Sequence, residues 1–288
     1  MSCAHWQQLT ASSQQEHART YQQGYAIQMG HDLEKTVYRN GVAFEFVLVP
    51  PGRFLMGMNP ESTAKIERLM PQRAYPRNNW TPASVALIER PFYLGKGEVT
   101  QKQWRSFMSE KRFRFKGEDL PVNHISFLEI ERFCQQTGFD LPEEKQWEYA
   151  CRAGSTGIFY WGDEWEKGRC NTASYWLKKD WWHHHPEFNL NHFDVLFPRY
   201  GTTTFPAGKF PPNAFGLYDM LGSVTEWCKD RFDVKPQAIA IRRGGAWYNP
   251  ILYNTCSYRS FYAIDREDDD TSGFRIVWPM IEGKKHER

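Results

Sequence analysis

The sequence lacks three features that would assign it to common protein classes. Its 288 residues contain no apolar run long enough to span a membrane, and the N-terminus lacks the charged and apolar segments of a secretion signal. The charge is nearly balanced, with 36 Lys and Arg against 34 Asp and Glu, whereas a nucleic-acid-binding protein usually carries a larger basic excess. We therefore expect a cytoplasmic protein that binds neither membranes nor nucleic acid.

The cysteines also lack an informative spacing. They number six and form no CxxC pair or disulfide framework; their positions are 3, 134, 151, 170, 228 and 256. This pattern is typical of a reducing compartment in which most thiols are buried.

Aromatic residues, by contrast, are abundant, at 16% of the chain. Residues 163–215 show little periodicity and repeat Pro, Gly, Asn and aromatic side chains. This combination predicts irregular backbone held by buried aromatic anchors, although an aromatic binding face would give the same count.

Two segments differ in composition. Residues 1–40 are polar and rich in Gln, which predicts a helical or partly ordered N-terminal extension, and residues 41–288 contain no linker or repeat and are predicted as one domain. At the start of that domain, Val42–Pro50 and Arg53–Met58 predict two strands of a hairpin. Two further short strands are predicted at 238–243 and 273–279.

Three helices are predicted from their capping residues. Thr100 with Gln103, and Ser126 with Glu129, have the spacing of capping boxes. The Leu-Pro-Glu-Glu sequence that begins at Leu141 places proline and acidic residues in a first helical turn.

A series of short motifs then follows in an order that resembles the formylglycine-generating-enzyme (sulfatase-modifying factor) family. The motifs are Arg53-Phe54-Leu55-Met56-Gly57, Pro91-Phe92-Tyr93, Glu98-Val99-Thr100, Pro121-Val122, Ile125-Ser126, Leu141-Pro142-Glu143-Glu144-Lys145-Gln146-Trp147-Glu148-Tyr149-Ala150, Pro212-Asn213-Ala214-Phe215-Gly216-Leu217-Tyr218-Asp219-Met220, Gly222-Ser223-Val224-Thr225-Glu226-Trp227, Arg243-Gly244-Gly245-Ala246-Trp247 and Gly273-Phe274-Arg275. The resemblance implies an α+β fold, a variant of the C-type-lectin-like architecture with small antiparallel sheets, a few helices and long ordered loops.

The resemblance also implies a structural calcium ion. Carried over by position, Asp219 and Glu226 would supply carboxylates, and Gly222 and Val224 would supply backbone carbonyls, which are the hard oxygen ligands that calcium prefers. The alternative is that the two acidic residues cap loops or pair with arginine. A second calcium site of the family is not expected, because Arg199 stands about where it needs an aspartate.

Copper is not expected. The family enzyme holds copper(I) with a Cys-x4-Cys pair, whereas here Asn249 stands near the first cysteine position and Cys256 near the second. Formylglycine formation is therefore not expected, and Cys256 is predicted to be a buried apolar residue. The cluster His183–His185 with His192 and Asp194 has no metal-ligand spacing and is predicted to be a surface loop.

The segment after Trp247 has the composition of a recognition surface. Its Tyr, Asn, Ser, Arg and Asp residues combine contact area with adaptable hydrogen bonding; they are Tyr248, Asn249, Tyr253, Asn254, Ser257, Tyr258, Arg259, Tyr262, Asp265 and Arg266. It resembles the C-terminal variable regions of diversity-generating-retroelement proteins. The first hypothesis is thus a rigid scaffold that binds a protein or small-molecule ligand; alternatively, these side chains pack the loop against its own core.

The second hypothesis is an enzyme, or an accessory domain of an oxidative or kinase-linked pathway, without formylglycine-generating activity. Glu98, Glu144 and Glu148 are the candidates for acid–base work. However, Glu144 and Glu148 are four residues apart on a predicted helix, a spacing typical of surface charge or a cap. No nucleophile–base pair is visible, so no catalytic residue is predicted.

Overall fold

The computed structural model describes residues 6, 8–69, 79–173, 203–235, 237–266 and 269–280. Its first element, helix α1 (Ala11–Met29), begins where the Thr10 hydroxyl accepts a hydrogen bond from the Ser13 N–H, and it ends at Gly30, whose φ is 66°. One face of this polar helix packs against the rest of the chain. Its buried residues recur at every fourth position: Gln14, Ala18, Gln22 and Ala26.

The remaining elements are short. In chain order they are β1 (Glu34–Arg39), β2 (Val42–Val49), β3 (Gly52–Met56), α2 (Pro60–Leu69), β4 (Ser84–Ile88), β5 (Phe92–Gly95), α3 (Gln101–Arg105), α4 (Phe127–Thr137), α5 (Glu144–Arg152), β6 (Thr225–Phe232), β7 (Ile239–Arg243), a 3₁₀ turn (Ile251–Tyr253), β8 (Arg259–Ala263), β9 (Ser272–Gly273) and β10 (Val277–Trp278).

The first sheet has the order β1-β2-β5-β10, and its neighbouring strands are antiparallel. β1 pairs with β2 along its whole length, from Glu34 opposite Val47 to Arg39 opposite Val42. The predicted division between residues 1–40 and 41–288 therefore falls within a hairpin of this sheet.

The predicted hairpin of β2 with β3 is wrong. Both strands exist, but β2 is already flanked by β1 and β5, so neither of its edges is open to β3. β3 instead pairs with β4, with Gly52 opposite Ile88 and Met56 opposite Ser84. The Pro50-Pro51 sequence redirects the chain into this second, two-stranded sheet.

The second four-stranded sheet has the order β8-β7-β6-β9, which makes β8 an edge strand. β7 is antiparallel to both β6 and β8, whereas β9 runs parallel to β6. The strands predicted at 238–243 and 273–279 correspond to β7 and to the short β9 and β10.

Capping chemistry fixes the three predicted helices. Both capping boxes are present: Thr100 with Gln103 opens α3, and Ser126 with Glu129 opens α4. The third helix, α5, begins at Glu144, three residues after Leu141, with the Gln146 side chain accepting a hydrogen bond from the Glu143 N–H. It ends at Arg152.

Aromatic side chains fill the interior between these short elements, as the sequence predicts. Trp147 and Trp227 are fully buried, and Trp247 is 4% exposed. Trp104 stacks on Phe133 at 5.5 Å between ring centroids, which joins α3 to α4. None of the helices in the described part of the chain combines the length and the apolarity that a membrane crossing requires.

Candidate binding surface and carboxylate cluster

Helix α5 carries a buried ion-pair network. The Glu148 carboxylate accepts hydrogen bonds from the Gly57 N–H at 2.7 Å and from Arg152 Nε at 2.9 Å, and it is paired with Arg243. Arg259 donates to both oxygens of the neighbouring Glu144, at 3.4 and 3.2 Å. Of the two roles predicted for Glu144 and Glu148, surface charge or a cap, surface charge is wrong, because their side chains are 9% and 1% exposed and are held by arginines from distant strands.

Arg243 connects this network to the predicted recognition segment. Its guanidinium donates to the backbone carbonyl of Cys256 at 2.9 Å and to that of Ser257 at 3.1 Å. The adjoining Gly245 has a φ of 72°, and a Cβ there would lie 2.7 Å from the Tyr253 carbonyl. Arg243 and Gly245 thus constrain the backbone of the segment.

Tyr258 is the centre of the recognition segment. It is 8% exposed, its ring lies 4.9 Å from that of Tyr253, and burial raises its pKa. The phenols of Tyr262 and Tyr248 also raise this pKa, whereas the hydrogen bond from Asn79 and the charge of Arg242 lower it. Tyr248, Tyr253 and Tyr262 are half-buried; with Tyr258 we call these residues the tyrosine surface.

The other predicted binding residues have different environments. Asn254 and Ser257 are fully buried, so they support the segment from inside. Asn249 is half-buried, and its carbonyl accepts a hydrogen bond from the Ala173 N–H at 3.0 Å. Asp265 is exposed and accepts a hydrogen bond from Gln237.

Two arginines lie within cation–π distance of the Tyr262 ring. The Arg242 guanidinium carbon lies 3.4 Å from the ring centroid and that of Arg266 lies 5.1 Å from it. Arg242 also pairs with Asp269 at 2.8 Å. These two cation–π contacts stabilise the position of the Tyr262 ring.

The structure adds neighbours to the tyrosine surface that no motif indicated. The Asn79 side chain donates to the Tyr258 hydroxyl at 3.0 Å, and Trp80 packs against the same ring. Phe115, from the loop after α3, meets Trp247 edge to face at 5.2 Å. The alternating Phe-Arg-Phe of that loop was the available sequence signal, since Phe113 is buried and Phe115 faces Trp247.

A second cluster consists of three buried carboxylates against one arginine. Arg275 holds Glu226 with two bonds, Nε to Oε2 at 2.6 Å and Nη2 to Oε1 at 2.7 Å, and Trp147 donates to the same carboxylate. Glu98 accepts hydrogen bonds from the Ser223 hydroxyl and the Val224 N–H. Burial raises the pKa of Glu98 well above its usual range, and burial raises that of Asp219 to about 7.

These residues fit the predicted calcium donor set in part. Asp219 fits, because it is buried and its Oδ2 has no hydrogen-bond partner among the described residues. Glu226 does not fit, because Arg275 and Trp147 engage both of its oxygens, which is the arginine pairing that the sequence left open. Across the described ranges, no cluster of three His, Cys, Asp or Glu side chains has the geometry of a metal site.

The structure places Cys256 in the core, as the sequence predicts. Its Sγ lies 3.5 Å from that of Cys151, and both residues are fully buried. Burial raises the pKa of the Cys151 thiol well above its usual range, as it does for Cys170 and Cys228. These thiols therefore remain protonated at neutral pH. The histidine cluster at 183–185, with His192 and Asp194, and the position of Arg199 lie outside the described residues.

The fold and these motifs together define an α+β protein built on irregular, aromatic-anchored loops. Residues 32–280 match the model of the sulfatase-modifying factor enzyme 1-like domain. The chain belongs to that family, and the predicted formylglycine-generating-enzyme fold, with its C-type-lectin-like architecture, is confirmed. The match begins just after α1.

Relatives in this family include active and inactive members. The chain is 24% identical to the inactive C-alpha-formylglycine-generating enzyme 2 of Bos taurus over 72% of this chain and 78% of that protein. It is 35% identical to the formylglycine-generating enzyme of Mycobacterium tuberculosis over 39% of this chain and 34% of the other.

Solved structures share the fold. PvdO from Pseudomonas aeruginosa superposes with a TM-score of 0.61 at 21% identity, covering 84% of this chain and 97% of that one. Treponema denticola variable protein 1 superposes with a TM-score of 0.57 at 17% identity, covering 85% and 99%.

Proposed function

We propose that this protein binds a protein or small-molecule ligand through the tyrosine surface. The observation that carries the proposal is the segment around Tyr258, where the buried ring packs against the half-buried Tyr253 and the same segment carries the half-buried Tyr248 and Tyr262. Such rings offer large contact area at low entropic cost, because each has only two rotatable side-chain bonds. The surface is preorganised, since Arg243 and the buried Asn254 fix the backbone that carries it.

Selection from a cyclic-peptide display library tests this proposal. Peptides selected on the wild-type protein should lose about ten-fold or more in affinity for Tyr248→Ala and Tyr262→Ala, the effect expected of interface hot spots. Tyr38→Ala is the matched control, because Tyr38 is 68% exposed and lies on β1 in the other sheet. Equal affinity of all three variants for the peptides would refute the proposed surface.

A link to diversity-generating retroelements is a finer form of this proposal. What supports it is the Tyr-, Asn- and Arg-rich segment, which ends before Gly273-Phe274-Arg275. Its test is the genomic neighbourhood: a reverse transcriptase gene and a template repeat that matches codons of residues 248–266 would support it. A neighbourhood without either would remove the link and leave the binding proposal in place. The cytoplasmic location stays a prediction.

The alternative is an enzymatic or accessory role. The position of Asn249 near the first copper cysteine and the inward-facing thiol of Cys256 argue against formylglycine formation. The test is incubation with copper(I), oxygen and a sulfatase-type peptide that contains cysteine, followed by detection of the aldehyde with a hydrazide probe. Aldehyde above the no-enzyme background would overturn the binding proposal.

A calcium ion at Asp219 is a separate proposal. Its support is the carboxylate oxygen of the buried Asp219 that has no hydrogen-bond partner among the described residues; Glu226, the other predicted carboxylate ligand, is occupied by Arg275. Thermal denaturation before and after EDTA treatment tests it. A melting temperature lowered by EDTA and restored by Ca²⁺ but not by Mg²⁺ is the expected result, and an unchanged temperature would contradict the site.

A further inference from the structure

A cavity of about 450 Å³ lies where α1 meets the family domain. Its walls are the α1 side chains of His17 and Tyr21 on one side and Arg53, Phe54 and Leu55 of β3 on the other. Cavities of this size are typical of small-molecule sites. Because α1 precedes the family match, one wall belongs to this chain's own N-terminal segment.

Hydrogen bonds from two glutamines of α1 fix this helix beside the cavity. Along α1, the Gln14 amide bonds with Thr156 on one side of Ala18, and the Gln22 amide donates to the Leu48 and Phe215 carbonyls on the other. These two amides are buried, which makes their hydrogen bonds costly to break.

Small residues bring α1 close without filling the cavity. A Cβ on Gly154 would lie 2.7 Å from the Cβ of Ala18, so the helix approaches the loop after α5 as closely as glycine permits. At the β3 wall, Gly52 leaves room for the Tyr149 hydroxyl. The space between these points is therefore defined by fixed backbone and not by loose packing.

The chemistry of the walls is apolar and cationic. Aromatic rings dominate, with Phe54 and Tyr149 in contact at 5.2 Å between centroids and Phe215 beside them. No Asp or Glu lines the cavity among the described residues. Arg53 is exposed, and it makes no ion pair with the carboxylates of the described ranges.

The charged groups beneath the cavity belong to the ion-pair network of α5. Arg152, which contributes to the lining, belongs to the α5 network, in which Glu144 and Glu148 face three guanidiniums: those of Arg152, Arg243 and Arg259. Asp230, whose carboxylate accepts a hydrogen bond from the Glu144 N–H at 2.5 Å, adds a third negative charge. The network is therefore balanced, and Arg53 supplies the positive charge at the cavity that no carboxylate of the described ranges pairs with. A ligand that matches both the walls and the charge is therefore apolar with one anionic group.

We propose that this cavity binds a small apolar monocarboxylate, with its hydrocarbon body between the rings of α1 and β3 and its carboxylate at Arg53. The site uses none of the residues of the tyrosine surface, so it is a second binding site and does not depend on the first. A neutral ligand of the same shape would keep the apolar contacts and lose the charged hydrogen bond to the guanidinium.

Isothermal titration of the full chain with 6-phenylhexanoate, and with 6-phenylhexan-1-ol as the neutral analogue, tests the proposal. The carboxylate should bind the wild-type protein about ten-fold more tightly than the alcohol, as one charge-assisted hydrogen bond implies. Arg53→Gln should remove this ten-fold preference and leave the affinity for the alcohol unchanged. Arg19→Gln, an exposed arginine on α1 outside the cavity, is the matched control and should bind both ligands like the wild type.

A second variant, Leu55→Trp, places a larger ring into the cavity from β3 and should abolish binding of both ligands. Its melting temperature and that of Arg53→Gln report whether the fold is intact. Absence of 6-phenylhexanoate binding to the folded wild-type protein would overturn the proposal, as would binding that neither variant weakens.

Discussion

Removing the charge of Glu148 by Glu148→Gln is the sharpest test of how this fold is held together. The carboxylate is 1% exposed and has three donors: the Gly57 N–H at 2.7 Å, Arg152 Nε at 2.9 Å and Arg243. The amide of Gln is neutral, and its NH₂ group faces guanidiniums that can only donate. One buried carboxylate would then remain for three arginines.

The magnitude follows from the burial of the pair. Breaking a buried ion pair by removing one partner costs about 3–5 kcal/mol, because the remaining charge is left uncompensated. Against a total stability of roughly 5–15 kcal/mol, this is a large fraction. At roughly 2 °C per kcal/mol for a chain of this size, we expect the melting temperature to fall by about 6–10 °C.

The assay is thermal and urea denaturation followed by tryptophan fluorescence, with Glu131→Gln as the control. Glu131 pairs with Arg231 at 3.4 Å, but the two side chains are 38% and 46% exposed, so this pair is worth at most about 1 kcal/mol. If Glu148→Gln destabilised the protein no more than Glu131→Gln does, the buried network would not stabilise the fold as we infer.

Three further perturbations have defined outcomes. Gly245→Ala places a Cβ 2.7 Å from the Tyr253 carbonyl at a φ of 72° and should cost about 1–3 kcal/mol in urea denaturation; a stability equal to wild type would contradict this geometry. Burial raises the pKa of Asp269, but Arg242 and Thr271 outweigh it and the net pKa is lowered. The stabilisation is thus present above the ordinary aspartate pKa and lost as the pH falls through the lowered one. Asp269→Asn should therefore lower the urea midpoint at pH 7, and the deficit should shrink below about pH 3.9, whereas a constant deficit would contradict the ion pair. Finally, mass spectrometry should find Cys151 unmodified by iodoacetamide in the folded protein and modified after denaturation, and labelling of the folded protein would contradict its burial.

The sequence predicted those parts of the fold whose causes are local. The capping boxes at Thr100 and Ser126 close within four residues, so no distant contact is needed to form them. The order of motifs was equally informative, because it identified the family whose model matches residues 32–280, and several motif residues lie in the core. The buried Trp147 and Trp227 are examples.

The pairing of the strands could not be predicted from local sequence. β2 and β3 are adjacent in the chain and have strand-like sequences, yet β2 pairs with β1 and β5 while β3 pairs with β4. Local sequence does not record which edges of a strand are already occupied. The hairpin prediction therefore failed, although both strands were located.

For the candidate sites too, the sequence predicted one part and the tertiary structure decided the other. The sequence by itself determined which residues compose the tyrosine surface, because their types already have the chemistry of recognition. Only the tertiary structure decided which of them are presented: Tyr258 became the buried centre because Asn79, 179 residues away, bonds to its hydroxyl. It also buried Glu148, which is paired with an arginine 95 residues away. Burial of a charge or a phenol requires a partner, and such partners are brought together only by the complete fold.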